Sequence, residues 1–206
     1  MNLEGLPPLT TVWAGGAVFL SLLEKFGFVT EYQMGLSVRS IVEKQQYWRL
    51  VTTFMYFGPF NINLFIKLFF YLRFAIVLEL DAYVSRRRAE FFWLFFVSSL
   101  SVLLLSSVIP MQFLSEPLSF VLLYVWCRRN RHVRVNIFGL LVFNAPYLPF
   151  LELGISMVRS WAEALPIALG IALGHTYEFL TAQWPREYES QGRNWIAPPQ
   201  LWINMF

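Results

Sequence analysis

"PIALGIALGHTYEFL", residues 166–180, is an unbroken run of apolar and small residues in which Gly170 and Gly174 stand four apart and His175 follows the second glycine. At 3.6 residues per turn the two glycines share one stripe of a helix. Missing side chains there let a neighbouring backbone approach closely, which is how helices pack inside a bilayer. His175 borders the stripe and precedes Glu178 by one turn, a spacing at which two side chains of a helix meet.

The rest of the chain has the same solvent. Of its 206 residues 57% are hydrophobic and 18% aromatic, and the mean hydropathy is +0.51. A soluble domain is apolar in roughly half of its residues. Six runs approach the roughly 20 apolar residues that a crossing helix needs: Thr11 to Phe28, Phe60 to Leu80, Phe91 to Ile109, Leu118 to Cys127, Val135 to Val158 and Ala164 to Gln183. The expected fold is an all-α membrane protein of six transmembrane helices, one domain over residues 1–206. The fourth run is too short to cross alone. Before it, "PMQFLSEPLSF" (110–120) carries Gln112, Ser115 and Glu116 between two prolines, and polar non-helical backbone survives at membrane depth only under protein or in a wet cavity. A half-buried loop feeding a short, inward helix is expected there.

Residues 1–10 hold no Lys or Arg, so no cleaved basic leader is expected and the first helix should stay. A six-helix path puts Arg86, Arg87, Arg88, Arg128, Arg129, Arg131, Arg134, Arg186 and Arg193 on one side, and Arg39, Lys44, Arg49 and Arg159 on the other. Cytosolic loops collect basic residues, so both termini should be cytosolic. The net charge of +3 then reflects topology and not nucleic-acid binding. The single cysteine, Cys127, excludes an internal disulfide and a cysteine-based zinc cluster. No metal or other cofactor is expected.

The connection from Thr30 to Gly58 is the longest. Its "VEKQQYWRLVTTFMYFGPFN" sets aromatic rings among charges, the composition of a membrane interface, and predicts an amphipathic first loop lying on the outer or lumenal leaflet, as a surface for lipid or a partner. In "YWRL", Arg49 beside Trp48 is placed to reach phosphate or carbonyls while the indole sits among headgroups. Lys67 and Arg73 in the second run should either snorkel toward a surface or face a wet interior or a thinned bilayer, because a charge against lipid costs several kcal/mol. Glu79, near that helix's end, should snorkel to the surface.

The order "YWRL", "YVWCRRN", "NIFGLLVFNAPYLPF", then "GxxxGH" before "YEFL" resembles the Derlins, rhomboid-like pseudoproteases of the endoplasmic reticulum membrane, from about Leu9 to Gln200. "APYLPF", with Pro146 and Pro149, and the "GRN...PPQ" run from Gly192 to Gln200 add to the likeness. The resemblance implies a rhomboid-like six-helix fold without proteolysis. It also implies a role in endoplasmic-reticulum-associated degradation, retrotranslocating misfolded lumenal or membrane proteins through a thinned membrane and a hydrophilic cavity. Its partners would be a membrane ubiquitin-ligase complex and a cytosolic AAA ATPase. Trp48 and Arg49 would match the family's Trp-Arg pair, and Gly170 and Gly174 its GxxxG pair. Many members end in a glycine-rich ATPase-binding box; here the sequence reads "QLWINMF", so either a tail was removed or the ATPase joins through a partner.

In proteolytic rhomboids a histidine at the place of His175 activates a serine of a GxSG motif, the usual general-base arrangement. Matching "YVW" (124–126) to the end of a rhomboid fourth helix brings Ser115 near the serine position. Its context, "FLSE", lacks both glycines, with Phe113 and Glu116 where small residues would open the site, and Glu178 replaces a small residue after the histidine. His175 is then expected as a buried hydrogen-bonding group facing the cavity, together with Lys67, Arg73, Ser115 and Glu178. An active intramembrane serine protease is the alternative. A transporter would call for inverted repeats with matching broken helices, and none is found.

Overall fold

The computed structural model describes residues 7–85, 87–137, 141–187, 196–203 and 205. Arg86, Arg193 and the "GRN" of 192–194 lie outside them. The chain is mostly helical. Its longer helices are α1 (Pro8–Lys25), α5 (Ile62–Val84), α6 (Arg88–Ser106), α7 (Ser115–Arg129), α8 (Leu148–Arg159) and α9 (Trp161–Glu178). Three short helices fill the first loop: α2 (Glu31–Met34), α3 (Val38–Lys44) and α4 (Arg49–Met55). α6 is long and apolar enough to cross a membrane by length and composition.

Five of the six apolar runs are helical; the fifth is not a single helix. Arg134–Ile137 (β1) and Leu141–Asn144 (β2) pair antiparallel, with Arg134 opposite Asn144 and Ile137 opposite Leu141. A 3-10 turn, Ala145–Tyr147, follows, and only then does α8 begin. The two prolines explain the difference. Inside a helix each would remove an N–H donor and clash with the preceding turn; Pro146 sits instead in the 3-10 turn and Pro149 in the first turn of α8, where a missing N–H costs nothing.

α7 also starts three residues earlier than the apolar run. From Ser115 to Cys127 every residue but Glu116 is buried, as expected of a helix with protein on all sides. α9, α5, α6, α8 and α4 pack around it. Phe120, Leu122, Leu123 and Val125 are fully enclosed, and Cys127 is a free, buried thiol.

The first loop is keyed into the bundle through its backbone. Leu36 N donates to Gln112 O at 2.8 Å and Leu114 N to Thr53 O at 2.9 Å. Trp13 Nε1 donates to Phe54 O at 2.7 Å and Ser21 Oγ to Gly58 O at 2.8 Å. These bonds satisfy loop carbonyls that a dry environment would leave at a cost of several kcal/mol each. Tyr56, at the end of α4, is enclosed and donates to Glu24 Oε2 at 2.6 Å; burial first, then this acid, push its hydroxyl well above the ordinary tyrosine range.

Glu79 does not snorkel. It is 0% exposed and receives Leu9 N at 2.9 Å, Thr10 N at 2.8 Å and Thr10 Oγ1 at 2.6 Å. α1 opens on Pro7 and Pro8 with no side-chain cap of its own, so its free N–H groups and positive dipole end need an acceptor. The carboxylate from α5 supplies it across about 70 residues of sequence.

Candidate functional site

The two glycines of the opening run set the spacing between α9 and α7. A Cβ on Gly170 would lie 2.5 Å from Pro117 O and 2.6 Å from Phe120 Cβ; one on Gly174 would lie 2.9 Å from Tyr124 Cβ. Both therefore face α7, and the two helices run in the same direction, residue 170 level with 117–120 and residue 174 level with 124.

That register separates Ser115 from His175. His175 Nδ1 shares a hydrogen bond of 2.8 Å with the hydroxyl of Tyr124, and its ring stacks on Phe179. Tyr124 lies nine residues beyond Ser115, about 13 Å along the axis at 1.5 Å per residue. The α9 residues nearest the Ser115 level are at Pro166 and Ile167, neither of them a base. Ser115 is buried and its Oγ donates to Tyr56 O, while Phe113 packs on the Tyr56 ring at 4.7 Å. A serine that donates to a backbone carbonyl in one layer and a histidine bonded to a phenol in another do not form a nucleophile and base, which must stand within about 3 Å. His175 is also exposed, not buried: it sits on the flank of the glycine stripe, so that Tyr124 reaches out to it.

The polar residues of the bundle fall into separate groups. Lys67 Nζ lies 3.6 Å from Glu116 Oε1, and Tyr71 donates to the same oxygen at 3.2 Å, joining α5 to the start of α7. Arg73 stands six residues, hence about 240° of helix rotation, from Lys67; it is exposed and joins neither residue. Glu178 is buried and faces Arg129 Nε at 3.7 Å, tying the ends of α9 and α7. Glu178 makes no hydrogen bond to His175. The pattern is a mixed-charge seam around α7, acid and base on different helices.

In the Trp-Arg pair the two side chains part. Trp48 is 55% exposed and Arg49 6%. Arg49 turns inward: Nη1 donates to Tyr32 O at 2.6 Å and Gly35 O at 2.7 Å, and Nε to Gln46 Oε1 at 2.7 Å. It holds α2, the turn after it and α4 together, so the carbonyls within reach of "YWRL" are those of its own loop. Two residues important to this arrangement, Glu79 and Tyr56, were not singled out from the sequence as organising groups. An uncapped Pro-Pro helix start paired with an acid inside an apolar helix is the signal that points to Glu79.

Comparison with known proteins places the chain in a family. The model of the Der1-like family matches residues 6–200. The chain is 32% identical to Derlin-1 of Oryza sativa subsp. japonica, covering 98% of this chain and 81% of that protein. It is 33% identical to Derlin-1 of Arabidopsis thaliana, covering 98% and 74%. Derlin-2.2 of Arabidopsis thaliana is 30% identical over 88% of this chain and 78% of its own length.

Proposed function

The chain belongs to the Der1-like family, and from that membership we propose that it is a noncatalytic component of endoplasmic-reticulum-associated degradation, helping misfolded lumenal and membrane proteins back to the cytosol. It acts as a multi-pass protein of the endoplasmic reticulum membrane with both termini in the cytosol, where a membrane ubiquitin-ligase complex and an AAA ATPase, directly or through a partner, take over the substrate. The observation that carries the noncatalytic part is the register of α7 and α9, which leaves Ser115 and His175 in different layers with other hydrogen-bond partners.

The mechanism follows from helix lengths and the placement of charge. Six crossings are read as α1, α5, α6, α7, α8 and α9. At 1.5 Å per residue, the 15 residues of α7 rise about 22 Å and the 12 of α8 about 18 Å, against a hydrocarbon core of about 30 Å. Short crossings draw the two surfaces of a bilayer together. The first loop adds to this: Tyr32, Val38, Val42, Tyr47, Trp48 and Val51 are all exposed on it, a set of apolar side chains suited to lying among headgroups. Along the thinned slab, Lys67 and Glu116 offer a passing polypeptide hydrogen-bonding groups in place of water. A polar segment then crosses a shorter and wetter barrier than the surrounding membrane presents.

Activity-based labelling tests the reading. Purified protein treated with a fluorophosphonate probe should show no labelling of Ser115, and the same preparation should leave a model transmembrane substrate uncut. Stoichiometric labelling lost in both Ser115→Ala and His175→Ala would overturn it and identify an intramembrane serine protease.

A further inference from the structure

Arg49 is nine-tenths buried, yet all three of its acceptors are neutral: two backbone carbonyls and the amide oxygen of Gln46. Among the described residues no carboxylate stands within 4 Å of it; Glu43, the acid of neighbouring α3, is engaged by Arg39 at 3.0 Å. A buried guanidinium with no counter-charge is costly, since burial removes its hydration without an opposite charge to replace it. Its second terminal nitrogen, Nη2, makes no hydrogen bond to the described residues.

Arg49 also lines a crevice of about 370 Å³ together with Tyr32, Gly35, Leu36, Ser37, Ser40 and Gln112. A second crevice of about 380 Å³ shares Leu36 and Gln112 and is bounded by Ser106, Pro110 and Met111. The linings contain hydroxyls, an amide and one cation, and no carboxylate. This is the donor set of an anion site, and a metal would find few ligands there. Its depth is fixed by α6. Ser106 is the last residue of that helix, and Arg87 and Arg88 stand at its other end, so the crevice opens at the membrane surface opposite the basic cluster.

We propose that this crevice, between the first loop and the α6–α7 connection, binds a phosphate group, with Arg49 Nη2 as the charged donor and Ser40, Tyr32 and Gln112 as neutral ones. The phosphate is carried by a lipid headgroup of that leaflet or is a free ion. The two N–H groups left on Nη2 give a phosphate oxygen a charge-assisted donor whose direction is already fixed by the three bonds that hold the guanidinium. The bound anion supplies the counter-charge that Arg49 lacks and fixes the loop to the surface it lies on. The inference does not depend on retrotranslocation, and its test does not read degradation.

Full-length chain in detergent is titrated with phosphatidic acid and followed by native mass spectrometry and thermal melting. One phosphatidic acid should be retained per chain, with a rise in Tm. Ser40→Asp places a carboxylate in the crevice while leaving every hydrogen bond of Arg49 in place, and should weaken retention about tenfold or more, the scale of one lost charge-assisted contact. Arg49→Lys should weaken it by a similar factor, whereas Arg39→Gln, on the exposed face of α3, should bind as wild type does. Displacement of the lipid by inorganic phosphate at matched concentration assigns the site to the free ion, and failure of that displacement assigns it to the headgroup. Equal retention by wild type and Ser40→Asp, or equal loss in Arg39→Gln and Ser40→Asp, would overturn the proposal.

Discussion

Replacing Gly170 with alanine adds one methyl group where α9 meets α7. The new Cβ would lie 2.5 Å from Pro117 O and 2.6 Å from Phe120 Cβ, well inside the 3.5–4.0 Å at which such atoms are comfortable. Pro117 O is backbone and Phe120 Cβ is attached directly to it, so neither withdraws by a rotamer change; α7 and α9 must separate. Overpacking of this kind costs about 1–3 kcal/mol. Alanine recovers up to about 1 kcal/mol of helix propensity over glycine, which leaves a net loss of up to about 2 kcal/mol. At about 2–4 °C per kcal/mol for a chain of this size, Tm in detergent should fall by several degrees. Gly174→Ala, with its nearest atom at 2.9 Å, should lose less. Gly154→Ala is the control: it lies within α8 with nothing inside 4 Å, and should melt at or above wild type. Gly170→Ala melting together with Gly154→Ala would refute the close approach of α9 to α7.

Three further outcomes follow from the same geometry. Glu79→Gln keeps the shape of the α1 cap but turns a donor toward donors; it should destabilise by about 1–3 kcal/mol, read as a loss of several degrees in Tm, and an unchanged Tm would mean that the α1 N-terminus is solvated. In a Cys127→Ser background, single cysteines at Arg87 and Arg131 should react with a membrane-impermeant maleimide from the cytosolic side and one at Lys44 should not, and labelling of all three from one side would contradict the six-crossing path. Lys67→Met removes the base from the α5–α7 pair and should slow substrate degradation while expression and Tm stay near wild type; undiminished degradation would remove Lys67 from the conduit.

The sequence was most informative where the physics is local. Long apolar runs are helices in α1, α5, α6, α7 and α9, and glycines four apart share a helix face whatever surrounds them. It was least informative where a partner far along the chain decides the outcome. Glu79 looks like a snorkelling acid from sequence because nothing near it shows that residues 9 and 10 bring it three donors. Apolarity alone makes Val135–Val158 one helix, whereas Pro146 and Pro149 argue against it. His175 was expected inside the cavity because a helical stripe fixes which residues are adjacent but not which of them faces solvent. Arg49 was placed among phosphates or carbonyls, and the loop's own fold, invisible in "YWRL", selected the carbonyls of Tyr32 and Gly35 for two of its three bonds.

The most direct measurement is the turnover of a misfolded membrane protein of the endoplasmic reticulum, followed by a translation-shutoff chase in cells that lack their own Der1-like protein. Re-expression of this chain should restore degradation, and the Ser115→Ala, His175→Ala double variant should restore it to near the same rate, because neither side chain serves as nucleophile or base. A substrate that stays stable with the wild-type chain would contradict the role in degradation, and one cleared by wild type but not by a stably folded double variant would contradict the noncatalytic conduit.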